Sequence, residues 1–181
     1  MIDCLFGAYI RWLLIVSFIA KDFCMNLFPL LDQVTVLPNF AVGSKEELIN
    51  ALVDILEEKL ESDEQLEEVR NAVFEREEIM STGVGKGLAI PHAKTKAVTE
   101  NLAAFALLKE PLDFDSIDDE PVRLVFLLVG PESNNSQHIK LLSRISRLMN
   151  SGSFREKILG CTSTEEILSA FKEEEEKYFV S

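Results

Sequence analysis

The sequence has little of the side-chain chemistry from which most metal and redox sites are built. Its 181 residues include 3 cysteines and 2 histidines. Cys4, Cys24 and Cys161 are scattered, and none of their spacings suits a zinc site or a disulfide framework. We therefore predict that the chain holds no metal. Its cysteine usage is typical of a protein in the reducing cytoplasm.

Positive charge is scarce as well. The chain has 18 Lys and Arg residues against 31 Asp and Glu residues, which gives a formal net charge of −13 at pH 7. Because such a chain lacks a basic surface that could displace counterions from phosphates, we expect it to bind neither nucleic acid nor anionic lipid. The charge suits a partner protein with a basic patch, and it also serves plain solubility.

A long apolar run occurs near the N-terminus. Residues 5–20 are mostly apolar and are interrupted by the charge of Arg11, and the run is shorter than the roughly 20 residues that a spanning helix needs. It also lacks the basic start and the cleavage site of a good signal peptide. We interpret residues 1–24 as a non-core segment. We favour the product of a start codon assigned too early, followed by a membrane-associating tail, and a poor signal peptide is the third alternative. We expect the folded domain to span residues 25–181.

Helical periodicity is visible in several parts of the chain. Ser44 with Glu47 and Ser62 with Gln65 have the spacing of capping boxes, which mark the starts of helices. Apolar residues recur three and four apart over the predicted helices 44–61, 62–80, 136–150 and 163–177. The last of these contains the acidic run 173–176, which we interpret as a solvated helix end.

Short apolar runs between the helices indicate strands. Residues 101–108 and 122–129 are two such runs, and the second is typical of a strand that is buried on both faces. The segment 88–92 predicts a further strand, which we expect Pro91 to end because proline has no ladder donor. Since strands and helices alternate, we predict a single α/β domain with a mixed β-sheet flanked by helices.

Three glycines at alternate positions, Gly83, Gly85 and Gly87, precede the predicted strand 88–92. The run Gly85-Lys86 resembles part of a Walker A loop, but Gly87 stands where that loop needs Ser or Thr. The GxGxG spacing that begins at Gly83 also fails the dinucleotide fingerprint, because the segment follows a helix and precedes a strand. We therefore interpret it as a turn whose backbone takes positive φ or approaches a neighbour closely.

The two histidines are the remaining candidates for chemistry. His92 directly follows Pro91, whose restricted backbone helps to aim the imidazole. His138 lies in the first turn of a predicted helix, and it shares an inward-facing stripe with Leu141 and Ile145. Either histidine alone is most simply explained as structural. Together with Arg76, which leads into the glycine segment, they form the set that a phosphohistidine carrier needs.

Three stretches of the sequence, in this order, carry a family resemblance: "REEIMSTGVGKGLAIPHAK" (76–94), "PLDFDSIDDEPVRLVFLLVGP" (111–131) and "QHIKLLSRISRLM" (137–149). They resemble the enzyme IIA domain of the bacterial phosphoenolpyruvate-dependent phosphotransferase system, in the fructose/mannitol and nitrogen-regulatory group. The resemblance covers about residues 25–175.

The resemblance implies that His92 takes a phosphoryl group from the phosphohistidine of a small histidine-containing phosphocarrier protein. His92 then passes the group to a cysteine or histidine of an enzyme IIB partner, and no cofactor is needed. It also implies that Arg76 and His138 hold the phosphoryl oxygens, and we add Thr82 as a further donor. The protein would be cytoplasmic, and it would meet the membrane only through a permease partner or through the N-terminal segment.

The same chemistry leaves two functions open. The first is a phosphocarrier that serves sugar uptake. The second is a stand-alone nitrogen-regulatory module, in which phosphorylation of His92 controls partner binding. By resemblance, the sequences of residues 81–94 and 114–122 favour the nitrogen-regulatory subgroup over the sugar-transport subgroup. An inert α/β domain with two core histidines is the third reading.

Overall fold

The computed structural model of the chain describes residues 26–179. They form one mixed six-stranded sheet that is flanked by five α-helices. The predicted fold class is therefore confirmed. The proposed non-core segment, residues 1–24, lies outside the described residues. Within residues 26–179, no helix is both long enough and apolar enough to span a bilayer.

Strands and helices are named in chain order. The strands are β1 (Val36–Phe40), β2 (Gly83–Gly85), β3 (Leu88–Ala89), β4 (His92–Thr95), β5 (Leu102–Leu112) and β6 (Val122–Pro131). The helices are α1 (Lys45–Asp54), α2 (Asp63–Ile79), α3 (Asn135–Asn150), α4 (Gly152–Leu159) and α5 (Thr164–Phe179). The described residues also include two short 3₁₀ turns, Phe28–Leu30 and Glu57–Lys59.

The antiparallel pair β5 and β6 forms the centre of the sheet. The strand order is β1-β5-β6-β3-β2, and β4 also pairs with β6. β1 runs parallel to β5, and both β3 and β4 run parallel to β6. Alternate side chains of β5 enter two different cores, with Phe105 and Leu107 on one face and Ala104 and Ala106 on the other. β6 is buried on both faces, as its composition predicts.

The first two helices begin where the capping boxes place them. The serine before each helix accepts a hydrogen bond from the backbone N–H three residues later. The predicted end of the first helix is wrong, because α1 ends at Asp54 and not near Glu61. Beyond Asp54, Leu56 donates to the carbonyl three residues earlier, and the chain tightens into the 3₁₀ turn. Neither β1 nor α4 is predicted from the sequence pattern.

β3 and β4 lie in line along the same edge of β6. Leu88 pairs with Leu124 and His92 pairs with Leu128, so the register along β6 is unchanged across Pro91. The strand β3 ends before Pro91, in agreement with the prediction, but pairing with β6 resumes at His92 in the same register. Pro91 contributes its carbonyl, which accepts a hydrogen bond from the amide of Leu128 at 3.0 Å. Its missing N–H interrupts the ladder but does not end the pairing.

The glycine segment forms the hairpin between β2 and β3. Gly85 and Gly87 have φ values of 90° and 73°, and Lys86 between them has a φ of 59°. Gly83 approaches Ser116 closely, since a Cβ at this position would lie 2.6 Å from the serine hydroxyl. The interpretation of this segment as a turn with positive φ and a close approach is confirmed.

The acidic run of α5 is only partly solvated, so the prediction of a solvated helix end is wrong for half of it. Glu174 and Glu175 are 7% and 4% exposed. The carboxylate of Glu175 accepts hydrogen bonds from the backbone N–H groups of Leu27 and Phe28, and Nη1 of Arg144 lies 3.4 Å from it. Glu175 therefore ties the start of the described domain to α3 and α5.

We expect Glu175→Ala to lower the free energy of unfolding by about 2–3 kcal/mol, because it removes a charged acceptor and leaves two backbone donors without it. Glu176→Ala is the matched control, since Glu176 is exposed, and we expect it to change stability by less than about 0.5 kcal/mol. Urea denaturation of both variants measures the difference. Equal transition midpoints would contradict the role assigned to Glu175.

Candidate functional site

His92 is the first residue of β4. Its Nδ1 lies 2.8 Å from the backbone carbonyl oxygen of Ile90. Because a carbonyl oxygen only accepts hydrogen bonds, Nδ1 carries the proton of the neutral ring, and Nε2 carries the lone pair. The ring is half-buried. The local backbone therefore selects Nε2 as the nitrogen that is available to an electrophile.

His138 lies in the first turn of α3, which is capped by the side chain of Asn134. It is 3% exposed, in agreement with the predicted inward-facing stripe. Its ring centroid lies 6.1 Å from that of His92, and the two ring planes are inclined by 44°. Neither ring nitrogen of His138 has a hydrogen-bond partner among residues 26–179. Such buried polar atoms are rare in folded proteins, and a catalytic role is one of their accepted explanations.

Arg76 lies in the last turn of α2. Its Nη1 donates to the backbone carbonyl of Met80 at 2.9 Å. This bond places a cation at the C-terminal end of the helix, where the helix dipole favours positive charge. It also anchors one corner of the planar guanidinium group, whose fork geometry suits phosphate oxygens.

Two adjoining hollows share His92, Arg76 and Leu142. The first has a volume of about 530 Å³ and is also lined by His138 and Lys94. The second has a volume of about 430 Å³ and extends along the β2–β3 hairpin. The structure thus brings His92, His138 and Arg76 together around one space, although they come from three separate parts of the chain.

Thr82 lines the second hollow beside His92. Its amide and its hydroxyl both donate to the carboxylate of Glu77. Because a hydroxyl has one proton, Thr82 has no O–H left to offer a phosphoryl group while this bond persists. The structure therefore places Thr82 next to the site, with its side-chain donor already engaged.

Both imidazoles are held in the neutral form. Burial lowers the pKa of His92 below its ordinary value, and the charge of Arg76 lowers it further, whereas the Ile90 carbonyl and Glu77 oppose this shift. Burial, with the charges of His92 and Lys94, lowers the pKa of His138 to about 4. At neutral pH the site therefore consists of two neutral rings beside a permanent guanidinium cation.

The description "Phosphoenolpyruvate-dependent sugar phosphotransferase system, EIIA 2" names the family whose profile matches residues 29–174. The chain belongs to this family. The fructose-specific EIIA component of Haloferax volcanii is 36% identical to this EIIA domain over 131 residues, which cover 72% of this chain and 84% of that protein. A nitrogen regulatory protein of Bradyrhizobium diazoefficiens is 35% identical over 145 residues, which cover 80% of this chain and 94% of that protein.

The match to a larger relative is partial. The fructose-specific EIIABC component of Bacillus subtilis is 33% identical over 144 residues, which cover 80% of this chain but 22% of that protein. Among solved structures, the nitrogen regulatory protein IIA-Ntr of Neisseria meningitidis matches the EIIA domain with a TM-score of 0.75 and 31% identity, covering 80% of this chain and 98% of that one. The IIA mannitol structure of Escherichia coli has a TM-score of 0.66 and 23% identity, covers 78% of this chain and 98% of that one, and shows the shared fold.

Two features of the site are not predicted from the sequence. Lys94 lines the first hollow, and its ammonium group donates to the side chain of Asn135. It follows His92 by two residues on β4, so the period of two along a strand was the available signal. The second feature is a set of exposed apolar side chains around the hollows: Ile79, Met80, Val84, Ile117 and Ile139.

Gly130 on β6 allows His138 to lie close to the sheet. A Cβ at this position would come within 2.6 Å of Nδ1 of His138 and 2.5 Å of Oδ1 of Asn101. Both neighbours are buried, at 3% and 6% exposed. Because both groups are buried, the His138 ring and the Asn101 amide have little space into which they could shift. The position of His138 therefore depends on the absence of a side chain at residue 130.

We expect Gly130→Ala to lower the free energy of unfolding by about 1–3 kcal/mol, because it forces two buried polar groups to shift. The NMR signals of the His138 ring should move as well. Gly152→Ala is the control, since a Cβ there meets only the end of the Arg155 side chain at 3.9 Å. If both variants unfold at the same denaturant concentration, the proposed packing is incorrect.

Proposed function

We propose that this EIIA domain accepts a phosphoryl group on Nε2 of His92 and passes it to a second protein. The juxtaposition of His92, His138 and Arg76 around one hollow is the observation that carries this proposal. The lone pair of Nε2 forms the new N–P bond while the P–N bond of a donor phosphohistidine breaks. The donor imidazole leaves with that electron pair. The reverse process then delivers the group to a thiolate or imidazole of the recipient.

The Ile90 carbonyl supports this step directly. As Nε2 bonds to phosphorus, the ring of His92 gains positive charge, and its Nδ1 proton stays on a hydrogen bond of 2.8 Å. That bond strengthens as the charge develops, so it stabilises the phosphorylated state more than the resting state. No separate base is required, because the attacking nitrogen is already unprotonated.

Arg76 and His138 are the groups that we assign to the phosphoryl oxygens. Phosphoryl transfer passes through a loose transition state in which charge collects on the equatorial oxygens, so positioning and charge stabilisation dominate. The guanidinium supplies paired N–H donors. The neutral ring of His138 supplies one N–H without adding a further full positive charge to those of Arg76 and Lys94. Thr82 would contribute only if its bond to Glu77 exchanged.

The surface around the site suits docking of another protein. The five apolar side chains described above are 50–86% exposed. Met80, Val84 and Ile117 line the second hollow, and Ile79 and Ile139 line the first. Apolar side chains around a reactive centre exclude water when a partner covers them. We propose that a histidine-containing phosphocarrier protein is the donor and that an enzyme IIB is the recipient. Both steps would occur in the cytoplasm.

A regulatory role is the second candidate. Two of the relatives named above, at 35% and 31% identity, are nitrogen regulatory proteins that this chain covers almost end to end. Phosphorylation of His92 would add a charge of about −1.5 to −2 at the centre of the apolar rim. Such a change would favour some partners and repel others. The two candidates share the chemistry at His92 and differ only in the recipient.

Labelling by a phosphorylated carrier protein tests the proposal. We expect His92→Ala to abolish the label and His138→Ala to accept it, with a rate that is lower by about 10²–10³-fold because one oxygen-binding donor is lost. The two variants serve as controls for each other, since each removes one of the two histidines. Wild-type labelling of His92→Ala would place the acceptor elsewhere. A pull-down with the phosphorylated and unphosphorylated forms then identifies the recipient.

The pH dependence provides an independent check. His92 reacts only when it is neutral, so the rate should rise with pH through its pKa and then reach a plateau. Because burial and Arg76 lower that pKa, the midpoint should lie below the ordinary value of 6.5. Arg76→Gln removes one of the lowering causes, so it should move the midpoint upward. An NMR titration of the His92 ring gives the same pKa, and a midpoint above 6.5 would contradict this account.

A further inference from the structure

Glu77 is a buried acid that the proposed chemistry does not use. Glu77 is 8% exposed and lies in the last turn of α2. The carboxylate accepts hydrogen bonds from the amide and the hydroxyl of Thr82 and forms an ion pair of 2.8 Å with Lys45. Lys45 in turn donates to the carbonyl of Phe114 at 3.1 Å. A buried charge of this kind is tolerated because it is paired and fully hydrogen-bonded.

The contacts of Glu77 continue to the reactive ring. Thr82 donates two hydrogen bonds to Glu77, and its backbone carbonyl accepts a hydrogen bond from the amide of Ile90 at 2.9 Å. The carbonyl of the same Ile90 accepts the Nδ1 proton of His92 at 2.8 Å. A continuous path of hydrogen bonds therefore connects Glu77 to the His92 ring through Thr82 and Ile90.

Glu77 is also the sequence neighbour of Arg76, one of the cations of the site. It directly follows Arg76 on α2, so the two side chains leave the helix in different directions. Arg76 lines the hollows, whereas Glu77 enters the interior beside Thr82. Fixing Glu77 therefore fixes the last turn of α2, from which the guanidinium projects.

We propose that Glu77 is a positioning residue that sets the tautomer of His92 and the place of Arg76 relative to it. The proposal rests on the proposed function, in which Nε2 of His92 is the nucleophile. It assigns to Glu77 no contact with the phosphoryl group. Its effect passes through Thr82 and Ile90 to the Nδ1 proton. Without that path the carbonyl of Ile90 is free to tilt, and the competing tautomer, which carries its proton on Nε2, has no lone pair at Nε2 with which to attack phosphorus.

The test compares two matched pairs of variants. Glu77→Gln removes the charge but keeps the size, and Glu78→Gln makes the same change at the exposed neighbouring residue. Thr82→Val removes the hydroxyl, and Thr82→Ser keeps it. The first measurement is the nitrogen NMR shift of the His92 ring, which reports the tautomer and requires no phosphoryl donor. The second is the single-turnover rate of labelling by a phosphorylated carrier protein.

We expect Glu77→Gln and Thr82→Val to populate the Nε2-protonated tautomer of His92 and to slow labelling by about 10–10²-fold, with little change in the carrier concentration at half-maximal rate. Glu78→Gln and Thr82→Ser should behave as wild type. If Glu77→Gln does not fold, the two Thr82 variants decide the question. The proposal is overturned if Glu77→Gln and Thr82→Val keep the wild-type tautomer, or if Thr82→Ser is impaired as much as Thr82→Val. Failure of the wild type to be labelled would instead refute the proposed function, and the NMR result would still stand.

Discussion

The hydrogen bond between Nδ1 of His92 and the carbonyl of Ile90 is the constraint around which the rest of the site is arranged. It joins residues only two apart, with Pro91 between them. Pro91 has a restricted φ and no N–H, and the His92 ring turns back onto its own backbone while the chain keeps its register with β6. The Ile90 carbonyl thus determines which ring nitrogen carries the lone pair, and Thr82 and Glu77 in turn support the backbone at Ile90.

The electrostatics of the site follow from burial more than from the overall charge of the protein. The chain is strongly acidic, with a formal net charge of −13, yet Arg76 and Lys94 line the hollow that contains both histidines. Burial favours the neutral form of both rings, so a phosphoryl group at His92, as we propose, would meet the two cations without two further imidazolium charges. A more cationic site would bind the phosphoryl group more tightly, and a carrier must also release what it accepts.

The sequence pattern predicts four of the five α-helices and the central strands, but it misjudges Glu174 and Glu175 and makes no prediction for Glu77. Val69, Val73 and Glu77 are the buried residues of α2, and they recur every four positions. In α5, Glu174 lies three and four residues beyond the buried Phe171 and Ala170. Helical periodicity therefore places these acids on inward faces. An acidic side chain is ordinarily assigned to solvent, and the partners that make its burial acceptable, Lys45 for Glu77 and backbone donors for Glu175, are distant in the sequence.

The meeting of His92 with His138 depends on pairing that no local pattern encodes. His92 lies beside Leu128 in the parallel pair of β4 and β6, and β6 then ends at Pro131. The chain then enters α3, which brings the His138 ring back beside His92 at the start of β4. In an α/β sheet the carboxyl ends of parallel strands and the amino ends of the following helices meet at one edge. The sequence supplies the parts of this arrangement, but the choice of β6 as the partner of β4 comes from the packing of the whole sheet. The short connection between β6 and α3 then places the His138 ring 6.1 Å from that of His92.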